Sequence, residues 1–358
     1  KLPKKIEIRT ALHFFSKKEL LVFYFLVIVL FVSTLAILEK LNKSFMVSVP
    51  ERGGSLSEGI MGTPRFVNPV LALSDADQDL VTLIYSGLMR KNVDGTLIPD
   101  LAESYNVSAD GLTYTFTLKK DIYFQDGTPV TADDVLFTIN EIQDQTIKSP
   151  HKGNWDGVST QKLDDKTIQF TLKQPYASFL ENTTIGIIPK HIWNGSPIEL
   201  NSANINAIGS GPYMVTKVGK EASGIIDYYQ LSPFKKFNLG VPYIGNFTLR
   251  FYPNEDMLVK ALENKEVDQI SSITPENAQI LEEEGFRVMS AVLPRVFGLF
   301  FNQSQNQIFT DKNVVIAINA ALDKDEIVRE VLDGYGISIN DPIPPSMIAY
   351  QKPTETND

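Results

Sequence analysis

The chain of 358 residues contains no cysteine. Disulfides, thiolate zinc sites and cysteine nucleophiles are all excluded. Histidine is scarce: His13, His151 and His191 are the full set, and none lies within a helical turn of another. No histidine-based metal site is legible locally, and each reads as a surface or interfacial side chain. An excess of basic charge is also missing. The net charge is −10, which argues against binding a nucleic-acid backbone through bulk electrostatics. The glycine-rich Gly209-Ser210-Gly211 lacks the Lys-Ser/Thr of a phosphate loop and the full dinucleotide spacing. It reads instead as backbone needing a positive φ or a close approach. Asp133-Asp134 and the run Glu282 to Glu284 supply carboxylates for acid–base chemistry. Adjacent carboxylates on a helix point in different directions, however, so a solvated face is the better reading and a secreted hydrolase the weaker one.

The chain does have one long uncharged run. Leu20 to Leu38, LLVFYFLVIVLFVSTLAIL, carries only Ser33 and Thr34 as polar members, and about 20 apolar residues span a bilayer core as a helix. A cleaved signal peptide has a shorter apolar region, about 7–15 residues. Ser33, Thr34 and Ala36 can imitate its cleavage site, so cleavage stays open. Lys1, Lys4, Lys5, Arg9, Lys17 and Lys18 precede the run, against Glu7 and Glu19. Basic flanks stay cytoplasmic, which puts the N-terminus inside and everything after about Glu39 outside. Up to Lys43 eight basic residues face three acidic ones, a net of +5, so the outer part carries −15.

With 358 residues, 43% of them hydrophobic and 21% charged, the chain is expected to form two or three domains with real cores. Residues 39–59 read as a linker by composition. Asp79 to Leu88 reads as a helix with Leu80, Leu83, Ile84 and Leu88 on one face. The stretch Pro99 to Ile139 reads as lead-in, turn, strand, turn and capped helix. Asp110-Gly111 and Asp126-Gly127 are the turns. Leu112, Tyr114, Phe116 and Leu118 alternate with threonines as a half-buried strand does. Thr131 and Asp134 form a helix N-cap pair. Thr167 to Leu172 alternates again, with Ile168, Phe170 and Leu172 inward. Phe247 to Tyr252, then an Asn254-capped helix, Val267 to Ile270, and a helix started by Thr274-Pro275-Glu276 give strands alternating with helices, hence α/β layering.

The wording of these segments resembles one family. Leu101-Ala102-Glu103-Ser104, Asp110 to Leu118 and Phe124 to Val135 match the block "LAESW…DGLTYTFxLR…xFxDGxPxTAxDVxFS" of the family 5 extracytoplasmic solute-binding proteins. Tyr105 stands for Trp and Lys119 for Arg. Pro64 to Pro69 resembles the "P..LDP" opening, with Asn68 in the Asp place. Ile84 to Leu88, Ile187 to His191 and Gly209 to Tyr213 are similar to "xYEGL", "IxPKH" and "GTGPY". Val267-Asp268 follows the "al.sGevD" pattern, with Lys265 for Gly. Gly298 to Asn302 resembles the hinge strand, and Phe309 to Val328 the "F.D.rVRxAinyAiDrexIv" helix ending at Gly334.

The resemblance implies an α/β fold of two lobes, periplasmic-binding-protein-like (type II, cluster C-like). An extra subdomain sits in the first lobe and one transmembrane helix precedes it. The expected division is a cytoplasmic basic tail 1–19, anchor 20–38, linker 39–59, lobe I 60–85 and 206–296, inserted subdomain 86–205, and the start of lobe II 297–358. Family members continue past this point, so the second lobe is expected to be incomplete and the chain a fragment or a truncated gene product. An exposed apolar face is expected on its last segment. Two lobes close on a trapped ligand, and a peptide backbone can pair with lobe strands. The implied partners are short peptides, or another solute such as a nickel chelate or an oligosaccharide, together with ABC permease and ATPase subunits and the membrane through Leu20–Leu38. No nucleic acid, cofactor, metal or catalytic residue is implied. The rival use of such a fold is a membrane-anchored sensor or scaffold without transport. The resemblance carries ligand contact to Leu73, Ser74 and Asp75, to Ser271, Ser272 and Ile273, and to Leu293, Pro294 and Arg295, with a solvated face the competing reading of each.

Overall fold

The computed structural model describes residues 16–46, 50–92, 95–176, 178–291 and 296–340. It divides into two units, 1–51 and 52–358.

The first unit is helix α1, Lys17–Phe45, in which the apolar run is exposed from Leu21 to Leu38. Ser16 and Glu19 exchange hydrogen bonds at its start: the Ser16 N–H donates to Glu19 Oε2 at 2.7 Å and the Glu19 N–H to Ser16 Oγ at 3.4 Å. Thr34 folds its hydroxyl onto the Leu30 carbonyl at 2.7 Å, so this polar group is satisfied within the helix.

The second unit is built on a five-stranded sheet. Its strands are β1 (Gly53–Met61), β8 (Tyr213–Lys220), β9 (Ile226–Pro233), β10 (Ile244–Tyr252) and β11 (Gln269–Ile270), in the order β11-β1-β10-β9-β8. β1 runs parallel to both neighbours, from Gly53 opposite Ile244 to Met61 opposite Tyr252, and with Glu58 opposite Gln269. β8, β9 and β10 form an antiparallel meander. Leu56 and Ile60 of β1 enter the main core, which also holds Ala76, Leu80 and Ile84 of helix α2 (Asp75–Ile84). The opposite face of β1 is stripped to Gly59, where a Cβ would stand 2.6 Å from Leu258 Cδ1 of helix α4 (Glu255–Glu263). A small second core joins α4, Val267 and helix α5 (Pro275–Glu283).

The inserted segment between α2 and β8 forms a hairpin, β2 (Met89–Lys91) with β3 (Leu97–Pro99), and an antiparallel sheet. That sheet comprises β4 (Ala102–Val107), β5 (Thr113–Leu118), β6 (Ser159–Asp164) and β7 (Thr167–Thr171), ordered β4-β5-β7-β6. As the alternation predicts, Tyr114, Phe116, Leu118, Ile168 and Phe170 are buried. They pack with Trp155 and Phe179, ring centroids 4.8–5.8 Å apart, under helix α3 (Ala132–Gln143). The expected cap forms: Asp134 Oδ2 accepts from both the backbone N–H and the hydroxyl of Thr131 at 2.9 Å. Its Oδ1 also accepts the Lys190 N–H at 2.9 Å, which fixes the Pro189-Lys190-His191 turn on the helix end.

Four expectations change. The linker ends early, because Gly53–Met61 is already a full strand. The helix expected over 79–88 runs over 75–84, started by the Ser74–Asp77 capping box. It stops at Ile84 because that carbonyl is taken from outside the helix, by the Gly211 N–H at 2.8 Å and Gln125 Nε2 at 3.1 Å. Gly298 to Asn302 is not a strand, since no described strand lies beside it to pair with. The long helix expected near the end is two, α6 (Lys312–Ala321) and α7 (Lys324–Val331), each with its own Asp cap, Asp311 and Asp323. The Gly334 N–H closes the last turn on the Val328 carbonyl. The exposed apolar surface expected on this segment is present, with Phe297 88% and Phe300 92% accessible.

Candidate functional site

Open α/β sheets bind ligands at the carboxyl ends of their parallel strands. Here β1, β10 and β11 all end on one edge, and three loops leave it: Gly62 to Ser74 after β1, Pro253-Asn254 after β10, and Ser271 to Thr274 after β11. Two of the three expected contact segments lie in these loops.

The first loop is folded back onto α2. Asp77 Oδ1 accepts the backbone N–H groups of Arg65 at 2.7 Å and Phe66 at 2.9 Å, while its Oδ2 accepts the Ser74 hydroxyl at 2.7 Å. One buried carboxylate thus fixes both ends of the loop. Leu73 is left 73% exposed at its tip, Ser74 is the cap of α2, and Asp75 is exposed in the first turn. In the third loop, Ser272 is held at φ +59° and Ile273 packs on the second core. Leu293, Pro294 and Arg295 lie outside the described residues. Among the described residues, no hydrogen bond joins the first and third loops. They share β1 instead: Glu58 lies beside Asp79 of α2 and pairs in register with Gln269, two residues before Ser271.

Acidic side chains, Glu58, Asp75 and Asp79, gather beside this edge. Asp79 keeps contact with water, but the walls around it withhold part of its hydration, and Glu58 and Asp75 add like charge. Its carboxyl is pushed up to about 6. The sign follows directly: folded Asp79 holds a proton that the unfolded chain has already released, so its share of stability is lost as pH rises from about 4 to about 6. Asp79→Asn is expected to remove that slope and to make the protein more stable than wild type above pH 6, measured by urea unfolding across pH 4–8.

Several shaping residues escaped sequence reasoning because their partners lie far away in the chain. Asp268 Oδ2 accepts the Ser57 backbone N–H and hydroxyl, both at 2.7 Å, and pins β11 to β1 across 211 residues. Hydrogen bonds from Ser57 hold its carboxyl below the usual range. Gln125, passed over inside the signature block, donates to the carbonyls of Ile84 at 3.1 Å and Tyr213 at 2.6 Å and accepts the Gly209 N–H at 3.1 Å. It joins the inserted sheet to the main one. A separate open pocket of about 340 Å³, lined by Glu103, Lys119, Lys120, Asp121 and Asn238, is occupied with internal bonds. Lys119 Nζ donates to Asn238 Oδ1 at 2.7 Å, and Asn238 Nδ2 donates to buried Asp100 at 2.8 Å. Among the described residues, no group of three or more acidic or histidine side chains is arranged to hold a metal.

The fold has known counterparts. The sequence model of the bacterial extracellular solute-binding proteins, family 5 Middle, matches residues 96–358. The oligopeptide-binding protein AppA of Bacillus subtilis is 29% identical over 294 residues, which are 80% of this chain and 53% of AppA. The structure of AppA with a nonapeptide superposes with a TM-score of 0.64 at 28% identity, covering 85% of this chain and 60% of that one. The ABC transporter substrate-binding protein CtaP of Listeria monocytogenes gives a TM-score of 0.65 at 33% identity, over 78% of this chain and 57% of that one. NikZ of Campylobacter jejuni, solved with Ni(L-His), gives 0.64 at 28%, over 80% and 57%. The chain spans about half the length of the curated relatives it matches. A family match across most of the chain, carried by the strands and turns described above, shows that this chain belongs to the family 5 bacterial extracellular solute-binding proteins.

Proposed function

We propose that the chain is the solute-binding component of an ABC importer, taking short peptides at the carboxyl edge of β1, β10 and β11 and handing them to a membrane permease. The observation that carries this reading is that edge itself. It has acidic side chains beside it and two loops of fixed backbone, in a fold shared with AppA, whose structure holds a nonapeptide. The carboxylates suit the positive α-amino end of a peptide, and the loop amides suit its backbone. Residues 53–85 and 206–296 make the first lobe, 86–205 its inserted subdomain, and 297–358 the beginning of the second lobe. Leu20–Leu38 anchors the protein in the cell membrane with the N-terminus inside. Capture of a solute needs no bond chemistry, and none is assigned.

The test is thermal unfolding of the purified protein with a mixed library of short peptides. Anything that binds only the folded state raises its stability by mass action, by about 2.7 kcal/mol at a hundredfold excess over Kd. The expected result is a higher Tm with peptides. A shift with a nickel–histidine chelate or an oligosaccharide, and none with peptides, assigns the crevice to those solutes instead.

A further inference from the structure

The loops after β10 and β11 are tied to each other, although their strands lie on opposite sides of β1. Glu255, the first residue of α4, accepts the Thr274 N–H at 2.6 Å and the Thr274 hydroxyl at 2.9 Å, both on Oε1. The contact spans 19 residues of sequence and passes across the mouth of β1. The helix does not need Glu255 for its own start. Asn254 is the N-cap, and its Oδ1 accepts the Met257 N–H at 2.9 Å. Thr274 in turn caps α5 by accepting the Asn277 N–H at 3.5 Å.

Between these fixed points stands Ser272, at φ +59°. A non-glycine residue held there is strained and persists only where its surroundings over-determine it. Those surroundings are visible. Ile273 is packed into the second core on one side, and Thr274 is clamped by Glu255 on the other. Burial works against ionisation of Glu255, but the bonds from Asn277 and Thr274 together outweigh it and hold the carboxyl below the usual glutamate range. The group is therefore a charged, permanent acceptor at neutral pH.

We propose that Glu255 is a positioning residue of the solute crevice: its carboxylate presets the backbone of Ser271 to Ile273, so that the loop meets its solute without being ordered at the moment of binding. This rests on the reading of the carboxyl edge as the solute site. Preorganisation of this kind raises affinity by cutting the entropy lost on association. The loop offers hydroxyls and backbone amides rather than charge, which suits the amide-bearing part of a peptide.

The test uses the full chain with Glu255→Ala and Glu255→Gln. Glutamine keeps an oxygen acceptor at the same reach, so both bonds to Thr274 re-form. Hydrogen exchange of the Thr274 amide is measured without solute. Apparent affinity is then read from thermal shifts with an equimolar tripeptide mixture and, separately, with a nickel–histidine chelate. Alanine is expected to speed Thr274 exchange by about tenfold or more, and to weaken whichever probe shifts wild type by about tenfold, the equivalent of 1.4 kcal/mol; glutamine is expected to restore both. Unchanged exchange in the alanine variant overturns the clamp. Faster exchange with affinity within about twofold of wild type shows a clamp that does not serve the solute, and overturns the proposal while the solute reading stands. If neither probe shifts wild type, the solute reading and the role of Glu255 fall together.

Discussion

Gly209→Ala is expected to destabilise the protein by about 3 kcal/mol, the upper end of the cost of overpacking, and to lower Tm by roughly 5 °C. A Cβ at position 209 would stand 2.1 Å from the Ile84 carbonyl oxygen, and 2.8 Å from both its carbon and Tyr85 Cδ1. The first two are backbone atoms at the end of α2, held by the Gly211 N–H and by Gln125. They cannot swing aside as the tip of a side chain would. The Gly209 amide and carbonyl are themselves bonded to Gln125 at 3.1 and 2.8 Å, so retreat on that side breaks the joint between the two sheets. Gly153→Ala is the control. No heavy atom lies within 4 Å of its Cβ position, and its φ is not positive. In its exposed helical turn alanine should be neutral or stabilising by up to about 1 kcal/mol. Equal losses from the two variants in differential scanning calorimetry would refute the steric account.

Asn68→Asp is expected to cost about 3 kcal/mol at neutral pH, the scale of an uncompensated buried charge, and to recover part of that loss in acid. Asn68 is fully buried; its Oδ1 accepts the Val70 N–H at 2.8 Å, and its Nδ2 faces Asn204 Oδ1 at 3.4 Å. Asn204 cannot turn its amide round to help. Its own Nδ2 is committed to the carbonyls of Ile198 at 2.7 Å and Asn201 at 3.0 Å. A carboxylate at 68 would therefore set oxygen against oxygen in a dry site. Its folded pKa would rise above the unfolded value near 4. The folded state would then bind the extra proton first, so the penalty is full above the folded pKa and shrinks as pH falls toward 4. Urea unfolding of variant and wild type at pH 4.5 and 7.5 measures this difference. A loss independent of pH would mean that shape rather than charge is at fault.

The family pattern carries aspartate at position 68, and that comparison shows where sequence reading stops. Local patterns are legible. The alternation around Phe116 and Phe170, the Thr131–Asp134 cap and the Asn254 and Thr274 caps all rest on residues within four positions of one another, and all stand in the structure. The glycines at 209 and 211 answer a backbone demand that their pattern announces, and close approach is the one they meet. The helix end at Ile84 was not legible, because the groups that stop it come from Gln125 and Gly211. The candidate site is similar. Ser74 and Ser272 were placed by resemblance, but Asp79, Glu255 and Asp268 acquire their roles from partners on other elements. A carboxylate in a sequence carries no mark of the strand it will face.

β1 raises a question of timing. It is the middle of three parallel strands, yet its first partner, β10, begins at Ile244, long after β1 ends at Met61. The strands of the inserted sheet all lie between residues 102 and 171, so they close short loops while β1 must wait for a long one. In a chain made from its N-terminus, β1 spends most of synthesis as a strand with two open edges, the condition that invites aggregation. Its sequence, GGSLSEGIM, fits that wait. Glycine, serine and one glutamate leave only Leu56 and Ile60 for the main core, too few to make a sticky segment. The apolar mass of the layer comes instead from β9 and β10, which arrive together and pair at once. The poverty of side chains in β1, which at Gly59 makes room for Leu258, also keeps the strand soluble until its neighbours exist.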